Sequence, residues 1–210
     1  MKKHSYTLSS LTPSRITQRT KQCQKILSAS ARLFCRNGYL GTSIDDIAKI
    51  AKVNKASIYY YYQNKSSLLF EVITTHLQGM IDMAMQIVHA NLEPRVRLEA
   101  LVSGHIRWQA THLETAGIGH VERKNLPIKL RQKYIDLRDD YEGIFRKTIE
   151  DGMNRGDFSF SDAKLTTLLT LGLTASVNQW YKPKGRLSAD EIAAKACTFI
   201  SKALRTGEVI

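Results

Sequence analysis

The stretch KVNKASIYYYYQNKSS, from Lys52 to Ser67, places four consecutive tyrosines between two polar clusters. Successive residues of an α-helix are turned by about 100°, so the four rings cannot all face one core. An exposed tyrosine beside lysines offers an apolar ring and a hydroxyl group that can meet a phosphate. The stretch therefore suggests a surface that contacts nucleic acid.

The residues before and within this stretch predict a pair of short helices. Ser43, with Asp46 three residues on, is typical of a helix N-cap with a capping box. Asn54 caps a second segment that runs to Tyr62. Because a longer helix, 19–36, precedes the pair, the order matches the spacing of a helix-turn-helix domain.

Helical geometry divides the tyrosines between two faces of the second short helix. Ile58 and Tyr62 are four residues apart and are expected to face inward, whereas Tyr61 lies at the boundary. The outward face is expected to hold Lys55, Ala56, Ser57, Tyr59 and Tyr60. The small residues would let the helix approach a phosphate closely. The alternative is that the tyrosines are simply core and surface of a small helical domain.

The positive charge of the chain is concentrated in its first third. Residues 1–65 contain 12 Lys and Arg against two acidic residues, a net charge of +10, whereas residues 66–210 contain 19 against 17, a net charge of +2. A basic segment on a nearly neutral body is typical of a module that binds a polyanion. A membrane surface is the less favoured polyanion, because a peripheral helix needs a wide apolar stripe opposite its lysines.

Length and composition limit the other possibilities. With 210 residues, 43% of them hydrophobic, the chain can bury a core in one large domain or two small ones. Its three cysteines, Cys23, Cys35 and Cys197, are odd in number and widely spaced, which favours free thiols in the cytosol over disulfides or a metal site. We expect no cofactor, no signal peptide and no membrane-spanning segment.

The first third of the chain carries a pattern at a known family's spacing: Phe34, Gly38, Thr42, Ile47-Ala48, Val53, Lys55, Ile58-Tyr59, Tyr61 and Lys65. Through these residues, 19–70 resembles the DNA-binding domain of TetR-type transcriptional repressors. Two positions depart from the pattern, since the family commonly has glycine where Lys52 and Ala56 stand. Lys52 in a left-handed turn would be strained by roughly 1 kcal/mol.

The resemblance implies a role in DNA binding for each matching polar residue. Thr42 would contact a phosphate, and Lys55 would reach a base edge or a phosphate. A lysine can donate to O6 and N7 of guanine, which makes Lys55 the plausible base reader. The resemblance further implies contacts with the DNA backbone from Ser57, Tyr61 and Lys65, and packing on sugar, phosphate or a thymine methyl group from Tyr59 and Tyr60.

The rest of the chain is predicted to be helical, which makes the fold all-α. Three parts are expected: a basic, disordered arm (1–18), the helix-turn-helix DNA-binding domain (19–65) and a helical ligand-binding and dimerisation domain (66–210). The arm either reaches along the duplex or is only a soluble end. Helices are expected at 66–89, 94–112, 127–154, 162–181 with Ser161 as cap, and 188–205.

The last two of these helices carry broad faces of small and aliphatic residues. Such faces at the end of a chain often pair with a second copy in a two-fold four-helix interface. A homodimer would place two recognition helices about 34 Å apart, as a palindrome requires. The alternative is that the faces close the core of one subunit. The residues are Leu168, Leu169, Gly172, Ala175 and Ser176, then Ile192, Ala193, Ala196, Ile200 and Leu204.

The stretches 126–158 and 172–193 are similar, more loosely, to the ligand-binding domains of TetR-type regulators of fatty-acid and steroid degradation. That resemblance implies a small hydrophobic ligand or an acyl-CoA thioester. Those relatives often carry an additional aromatic residue and an arginine where this chain has Ser176 and Gln179. Polar or aromatic residues in apolar helices are candidates to line a pocket, or else core residues: His105, Trp108, His112, Tyr134, Asn178 and Trp180.

Three classes of function fit a basic helical chain to different degrees. The pattern favours a sequence-specific, dimeric transcriptional regulator that a small molecule releases from a palindromic operator. An enzyme is not predicted, because the chain has no phosphate loop, nucleophile elbow or metal-ligand spacing; His105 and His112, seven residues apart, cannot share one metal ion. A sequence-independent architectural DNA-binding protein is the remaining alternative, distinguishable by its specificity and salt dependence.

Overall fold

The computed structural model describes residues 13–159 and 162–204, and all regular secondary structure in these two ranges is helical, which confirms the predicted fold class. The chain divides into two compact units between Leu69 and Phe70. A 3-10 turn, Arg123–Asn125, follows α7. The α-helices are α1 (Pro13–Asn37), α2 (Ile44–Ala51), α3 (Lys55–Tyr61), α4 (Lys65–His89), α5 (Pro94–Thr111), α6 (Leu113–Ala116), α7 (Ile118–Glu122), α8 (Ile128–Asn154), α9 (Ala163–Ala175), α10 (Val177–Trp180) and α11 (Ala189–Ala203).

The N-terminal unit has the predicted helix-turn-helix arrangement of α2 and α3. The Ser43 hydroxyl accepts a hydrogen bond from the Asp46 amide at 3.1 Å, and the Asp46 carboxylate accepts one from the Ser43 amide at 3.0 Å. Asn54 Oδ1 accepts from the Ser57 amide at 2.7 Å. These caps satisfy amides that a helix start leaves unpaired. The unit closes around fully or nearly fully buried apolar side chains, among them Ile26, Phe34, Ile47, Ile58 and Leu68.

The turn between α2 and α3 holds Lys52 in the left-handed conformation, with φ 56° and ψ 47°. The amide of the next residue, Val53, donates to the Ala48 carbonyl at 3.0 Å. This hydrogen bond closes the C-terminal end of α2. The strained backbone expected from the sequence is therefore present. A Cβ atom in this conformation lies close to the neighbouring carbonyl oxygen, whereas glycine avoids that contact.

Lys52→Gly is expected to raise the free energy of unfolding of the N-terminal unit by about 0.5–1 kcal/mol, because it removes the left-handed strain while costing some backbone entropy. Amide hydrogen exchange in α2 and α3 measures the change. Lys52→Ala is the matched control, since it removes the same charge but keeps a Cβ atom, and we expect little change from it. An equal gain in both variants would locate the effect in the charge instead.

Two predicted boundaries need correction. α1 begins at Pro13 and not at Arg19, so residues 13–18 of the expected arm are helical; proline suits a first helical turn because its φ is fixed and it has no amide to leave unpaired. Residues 1–12 lie outside the described residues. The cap of α9 is Asp162, whose carboxylate accepts from the Leu165 amide at 2.9 Å. The predicted cap, Ser161, lies outside the described residues.

The predicted helix 162–181 is two helices, α9 and α10, separated at Ser176. The Ser176 hydroxyl donates to the Leu173 carbonyl at 2.8 Å, and the Gln179 amide donates to the Ser176 carbonyl at 2.9 Å. Such local bonds compete with the regular helical pattern.

The C-terminal unit contains α5 to α11 and the later part of α4. Within it, α5 packs against α8, α9 and α11, and Phe145 on α8 is completely buried. The apolar face predicted for α11 packs mainly inward. Ile192, Ala193, Ile200 and Leu204 are buried, so the predicted pairing of this face with a second copy is corrected. The alternative, closure of the subunit's own core, describes these residues.

α9 has the reverse of the usual polarity. Its buried side consists of Thr166, Thr167, Thr170 and Thr174. Hydroxyl groups on this side bond to the carbonyls of the preceding turn, as Thr167 does to Ala163 at 2.7 Å and Thr174 to Thr170 at 2.9 Å, so burial leaves them satisfied. The opposite side, here called the leucine face of α9, is exposed and consists of Leu165, Leu168, Leu169, Gly172 and Leu173.

Candidate nucleic-acid surface and candidate ligand cavity

The outward face of α3 presents aromatic and basic side chains together. Tyr59 is 49% exposed and Tyr60 is 71% exposed, although both carry large rings. Lys55 and Ala56 are also exposed, and Ser57 is half-buried. Ile58 anchors the opposite face because it is completely buried. The arrangement expected from the four consecutive tyrosines is therefore found, with Tyr61 and Tyr62 half-buried at the helix end.

Lys55 makes an exposed ion pair across the two short helices. Its Nζ atom donates to Asp45 Oδ2 at 2.8 Å, and this hydrogen bond raises the pKa of Lys55. An exposed pair contributes little to stability. Lys55 can therefore exchange the carboxylate for another acceptor at small cost.

Lys65 and Thr42 have internal partners. Lys65 Nζ donates to the carbonyls of Tyr39 and Thr42, each at 2.7 Å, and lies 4.3 Å from the centre of the Tyr39 ring. Thr42 is 1% exposed, and its hydroxyl donates to the Gly38 carbonyl at 2.8 Å. The Thr42 side chain thus lies inside the unit, and its contact with a phosphate stays a prediction. Lys65 fastens the loop after α1 to the start of α4.

Tyr61 is likewise tied to its own unit. Its hydroxyl donates to Gln22 Oε1 at 3.2 Å, and its ring meets that of Tyr60 edge to face with the centres 5.0 Å apart. The contact with Gln22 joins α3 to α1. Of the residues predicted to bind DNA, the exposed set is therefore narrower than expected and is formed by Lys55, Ala56, Tyr59 and Tyr60, with Ser57 at its edge.

The C-terminal unit contains a cavity of about 550 Å³. Its walls come from α4 to α10, and apolar residues such as Leu77, Met80 and Leu171 line much of it. The volume lies within the range of small-molecule sites, about 300–1,000 Å³. Of the residues predicted to line a pocket, His105, Tyr134 and Asn178 do so, whereas Trp108, His112 and Trp180 are not among the lining residues.

The three other predicted residues lie elsewhere in the unit. Trp108 stacks on His112 with the ring centres 4.1 Å apart, and it packs so closely on Gly79 that a Cβ atom there would lie 2.4 Å from the indole. Trp180 is 53% exposed, and its indole Nε1 lies 3.4 Å from the Ser176 hydroxyl. Trp108 is half-buried, and His112 and Trp180 are exposed, so an aromatic residue within an apolar helix does not by itself place a side chain in a pocket.

The deep end of the cavity holds a chain of hydrogen-bonding side chains. His105 Nδ1 lies 2.9 Å from the Tyr141 hydroxyl, and His105 Nε2 lies 3.1 Å from Gln109 Nε2. Each of the three residues is at least 96% buried. Burial lowers the pKa of His105 to about 3 and raises that of Tyr141, so both are neutral at neutral pH.

A second histidine, His76 on α4, adds to this polar end. Its Nδ1 lies 2.8 Å from the Thr115 hydroxyl, and burial, with His112 nearby, lowers its pKa to about 4. Two buried atoms of the lining residues have no hydrogen-bond partner: His76 Nε2 and Gln109 Oε1. Basic and polar side chains, Arg123, Arg138 and His120, line the cavity where it reaches exposed residues.

Sequence reasoning missed several cavity residues for which a signal existed. Gln109 is four residues after His105 on α5, and Tyr141 is seven residues after Tyr134 on α8, so each shares a helix face with a predicted residue. His76 gave no comparable signal, because α4 is apolar on several sides.

Neither a metal centre nor a membrane span was found in the described ranges. No cluster of His, Cys, Asp and Glu there could hold a metal ion. No helix among these residues is both long and apolar enough to cross a bilayer.

Two protein-family models match this chain. One, described as bacterial regulatory proteins of the tetR family, matches residues 26–72. The other, described as the tetracyclin repressor-like C-terminal domain, matches residues 91–204. The first range contains the helix-turn-helix, and the second contains most of the residues that line the cavity.

Individual relatives are similar over most of the chain. The HTH-type transcriptional repressor KstR2 of Rhodococcus jostii (strain RHA1) is 27% identical over 179 residues, which cover 84% of this chain and 87% of that protein. The fatty acid metabolism regulator protein of Bacillus subtilis (strain 168) is 22% identical over 165 residues, or 78% of this chain and 85% of that protein. A crystal structure of AibR in complex with isovaleryl coenzyme A and operator DNA superimposes with a TM-score of 0.78 at 26% identity, covering 85% of this chain and 97% of that one.

Proposed function

This chain belongs to the TetR family of bacterial transcriptional regulators, and from this membership we propose that it is a repressor that a small molecule releases from a palindromic operator. The observation that carries the proposal is the exposed face of α3, where Tyr59, Tyr60 and Lys55 stand on a capped helix-turn-helix in the basic third of the chain. Large exposed rings beside lysines suit the sugars, phosphates and base edges of a major groove.

In the proposed complex the residues have separate tasks. Lys55 reads a base edge, Tyr59 and Tyr60 pack on the DNA backbone or a thymine methyl group, and Ala56 and Ser57 allow close approach. Lys65, Thr42 and Tyr61 act from inside the unit by holding α3, α4 and the loop before α2 in place. Contacts that read bases specify the sequence, while the others position the protein.

Lys55→Ala is expected to change the ranking of operator variants and to reduce the preference at one base pair by about tenfold, because a lysine contact to guanine contributes roughly 1–3 kcal/mol of discrimination. A panel of single-base operator variants, titrated at one salt concentration, measures this. Asp45→Asn is the matched control. It removes the partner of Lys55 and one negative charge, so it should strengthen binding to all variants alike. An unchanged ranking in Lys55→Ala would exclude Lys55 as a base reader.

The leucine face of α9 supports a homodimer. Leu168 and Leu169 are 46% and 59% exposed, and Leu173 and Leu165 extend the same stripe. A contiguous apolar stripe of this kind marks an interaction surface. An isologous pair of α9 helices would cover it and provide two recognition helices for a palindrome.

The cavity supports a ligand with an apolar part and a charged part. Its apolar walls suit an acyl chain, and Arg123 and Arg138 can attract an anionic group at the exposed end. AibR was solved with isovaleryl coenzyme A, a ligand of this type. We therefore propose an acyl-CoA thioester or a related small hydrophobic anion as the releasing ligand of this chain.

α4 is the element through which ligand and DNA would influence each other. It begins at Lys65, which holds the loop after α1, and later turns contribute His76, Leu77 and Met80 to the cavity wall. A ligand that favours one position of this helix weakens DNA binding by the same factor by which DNA weakens ligand binding.

Equilibrium binding to DNA tests the proposal directly. The duplex is taken from upstream of the protein's own gene, labelled with a fluorophore and compared with a scrambled duplex by fluorescence anisotropy at fixed salt. A preference of about a thousandfold, lost on addition of an acyl-CoA thioester, is the expected result. Equal, salt-sensitive binding to several unrelated duplexes would favour the architectural alternative. A regulator of this kind acts where the chromosome is, so we propose the cytoplasm as its location.

A further inference from the structure

We infer that the deep end of the cavity selects a ligand whose buried end carries an oxygen, as a hydroxyl or carbonyl group, over the plain hydrocarbon of the same length. This inference rests on the proposed ligand response and goes beyond it, because it specifies the chemistry of the part of the ligand that lies farthest from the charged group. It follows from the hydrogen-bond pattern of Gln109, His105 and Tyr141.

The direction of the hydrogen bonds determines what the cavity offers. The Gln109 amide nitrogen is a donor, so His105 Nε2, 3.1 Å away, must accept. The proton of the neutral imidazole is then on Nδ1 and is donated to the Tyr141 oxygen at 2.9 Å. In this orientation of the Gln109 amide, the Tyr141 hydroxyl hydrogen is free for another acceptor.

Gln109 supplies the complementary group. Its Oε1 atom is an acceptor without a partner, although the side chain is only 4% exposed. Turning the amide by 180° would let His105 Nε2 donate to this oxygen and His105 Nδ1 accept from the Tyr141 hydroxyl, and the amide nitrogen would then be the unpaired atom, a donor open to a ligand oxygen. In either orientation one polar atom of Gln109 is left over. A buried polar atom without a partner is destabilising, and a ligand hydroxyl satisfies it by donating to Oε1 or, with the amide turned, by accepting from the nitrogen.

The three side chains Gln109, His105 and Tyr141, here called the cluster, favour a neutral ligand oxygen over an ionised one because of their position and charge. Gln109, His105 and Tyr141 all line the cavity, and none of them is charged at neutral pH. The charged lining residues are Arg123 and Arg138, nearer the exposed end, and Glu142, whose carboxylate is paired with Lys164. A carboxylate or phosphate is therefore attracted to the exposed end, and a neutral hydroxyl or carbonyl matches the deep end. A hydroxyl can accept from Tyr141 and donate to Gln109 at once.

The probes are hexanoyl-, octanoyl- and decanoyl-CoA, each compared with its terminally hydroxylated counterpart. Calorimetric titration of the full chain without DNA gives each affinity, and release of labelled operator DNA is measured separately. For the length that reaches the cluster, we expect the hydroxylated probe to bind about tenfold more tightly, as one well-placed hydrogen bond gives. A site built to bond an oxygen disfavours an analogue that lacks it.

Substitutions test whether the cluster causes the preference for the hydroxylated acyl-CoA. Tyr141→Phe combined with Gln109→Leu removes both free polar groups and should bring the affinity ratio of each pair close to one, with binding of the plain acyl-CoA retained as evidence of an intact fold. Tyr134→Phe is the matched control. It is the same chemical change in the same cavity, outside the chain of hydrogen bonds, and it should leave the ratio unchanged.

The outcomes separate this inference from the proposed function. Equal affinities within every pair, or a preference that persists in the double variant, would overturn the inference while leaving a ligand-released repressor intact. A tenfold preference without operator release would uphold the inference and contradict the proposed ligand response. If no thioester binds at all, both are wrong for this class of ligand.

Discussion

Leu169→Glu is expected to convert the protein into a monomer and to weaken operator binding roughly 100-fold or more, because two linked recognition helices bind a palindrome with a high effective concentration that one helix lacks. Leu169 is 59% exposed, so a glutamate there is solvated in the single subunit. In a pair of α9 helices, the same carboxylate would be buried opposite its copy without a partner. Sedimentation equilibrium and fluorescence anisotropy measure the two effects.

A matched control removes the trivial explanation that any new glutamate harms the protein. Ile128 on α8 is 80% exposed and lies outside the leucine face of α9, so Ile128→Glu makes the same kind of change at another exposed apolar position. We expect it to leave both the mass in solution and the operator affinity unchanged. A Leu169→Glu variant that remains dimeric at micromolar concentration would show that the leucine face is not the pairing surface.

Lys65→Met is expected to destabilise the N-terminal unit by about 2–4 kcal/mol, because it removes two charge-assisted hydrogen bonds and leaves two carbonyls without their donor. Those carbonyls belong to Tyr39 and Thr42, in the loop that leads into α2. Methionine keeps most of the side-chain length, so lost packing contributes little. Amide hydrogen exchange in α2 and α3 reports the opening of this unit and should accelerate by about two orders of magnitude.

Lys49→Met provides the comparison, since Lys49 is an exposed lysine on α2 and its loss should leave exchange nearly unchanged. DNA binding separates a support from a direct contact. Removing a lysine that neutralises a phosphate reduces the slope of log affinity against log salt concentration by about one. If Lys65→Met flattens this slope without accelerating exchange, Lys65 contacts the DNA and is not mainly an internal support.

The sequence was sufficient for those parts of the fold that depend on neighbouring residues. The caps at Ser43 and Asn54 were predicted correctly because each uses a side chain and an amide within three residues of each other. The left-handed turn at Lys52 was expected from the family resemblance, because glycine is common at this position in the family. The role of Lys65 was not, because its acceptor carbonyls are 26 and 23 residues away along the chain. Only the tertiary packing of the unit brings them close to it.

The sequence could not predict which side of a helix faces the core when both sides carry aliphatic residues. Both α9 and α11 carry enough aliphatic residues for either side to face inward. Threonine bonded to its own helix can be buried without loss, so α9 places its leucines outside, while α11 places Ile192 and Ile200 inside. In the cavity, helix spacing alone could have added Gln109, which is four residues after the predicted residue His105. The hydrogen bond between His105 and Tyr141 could not be predicted in this way, because the two residues are 36 positions apart in the sequence.

The reversed polarity of α9 has a consequence for the abundance of the protein in the cell. In the proposed homodimer, a subunit whose leucines are covered only by a second copy becomes more prone to aggregation and proteolysis when its concentration falls below the dissociation constant of the pair. Unpaired chains would then be cleared faster than paired ones. The lifetime of the protein would rise with its own copy number, and a gene silenced by this repressor would be released abruptly when synthesis stops.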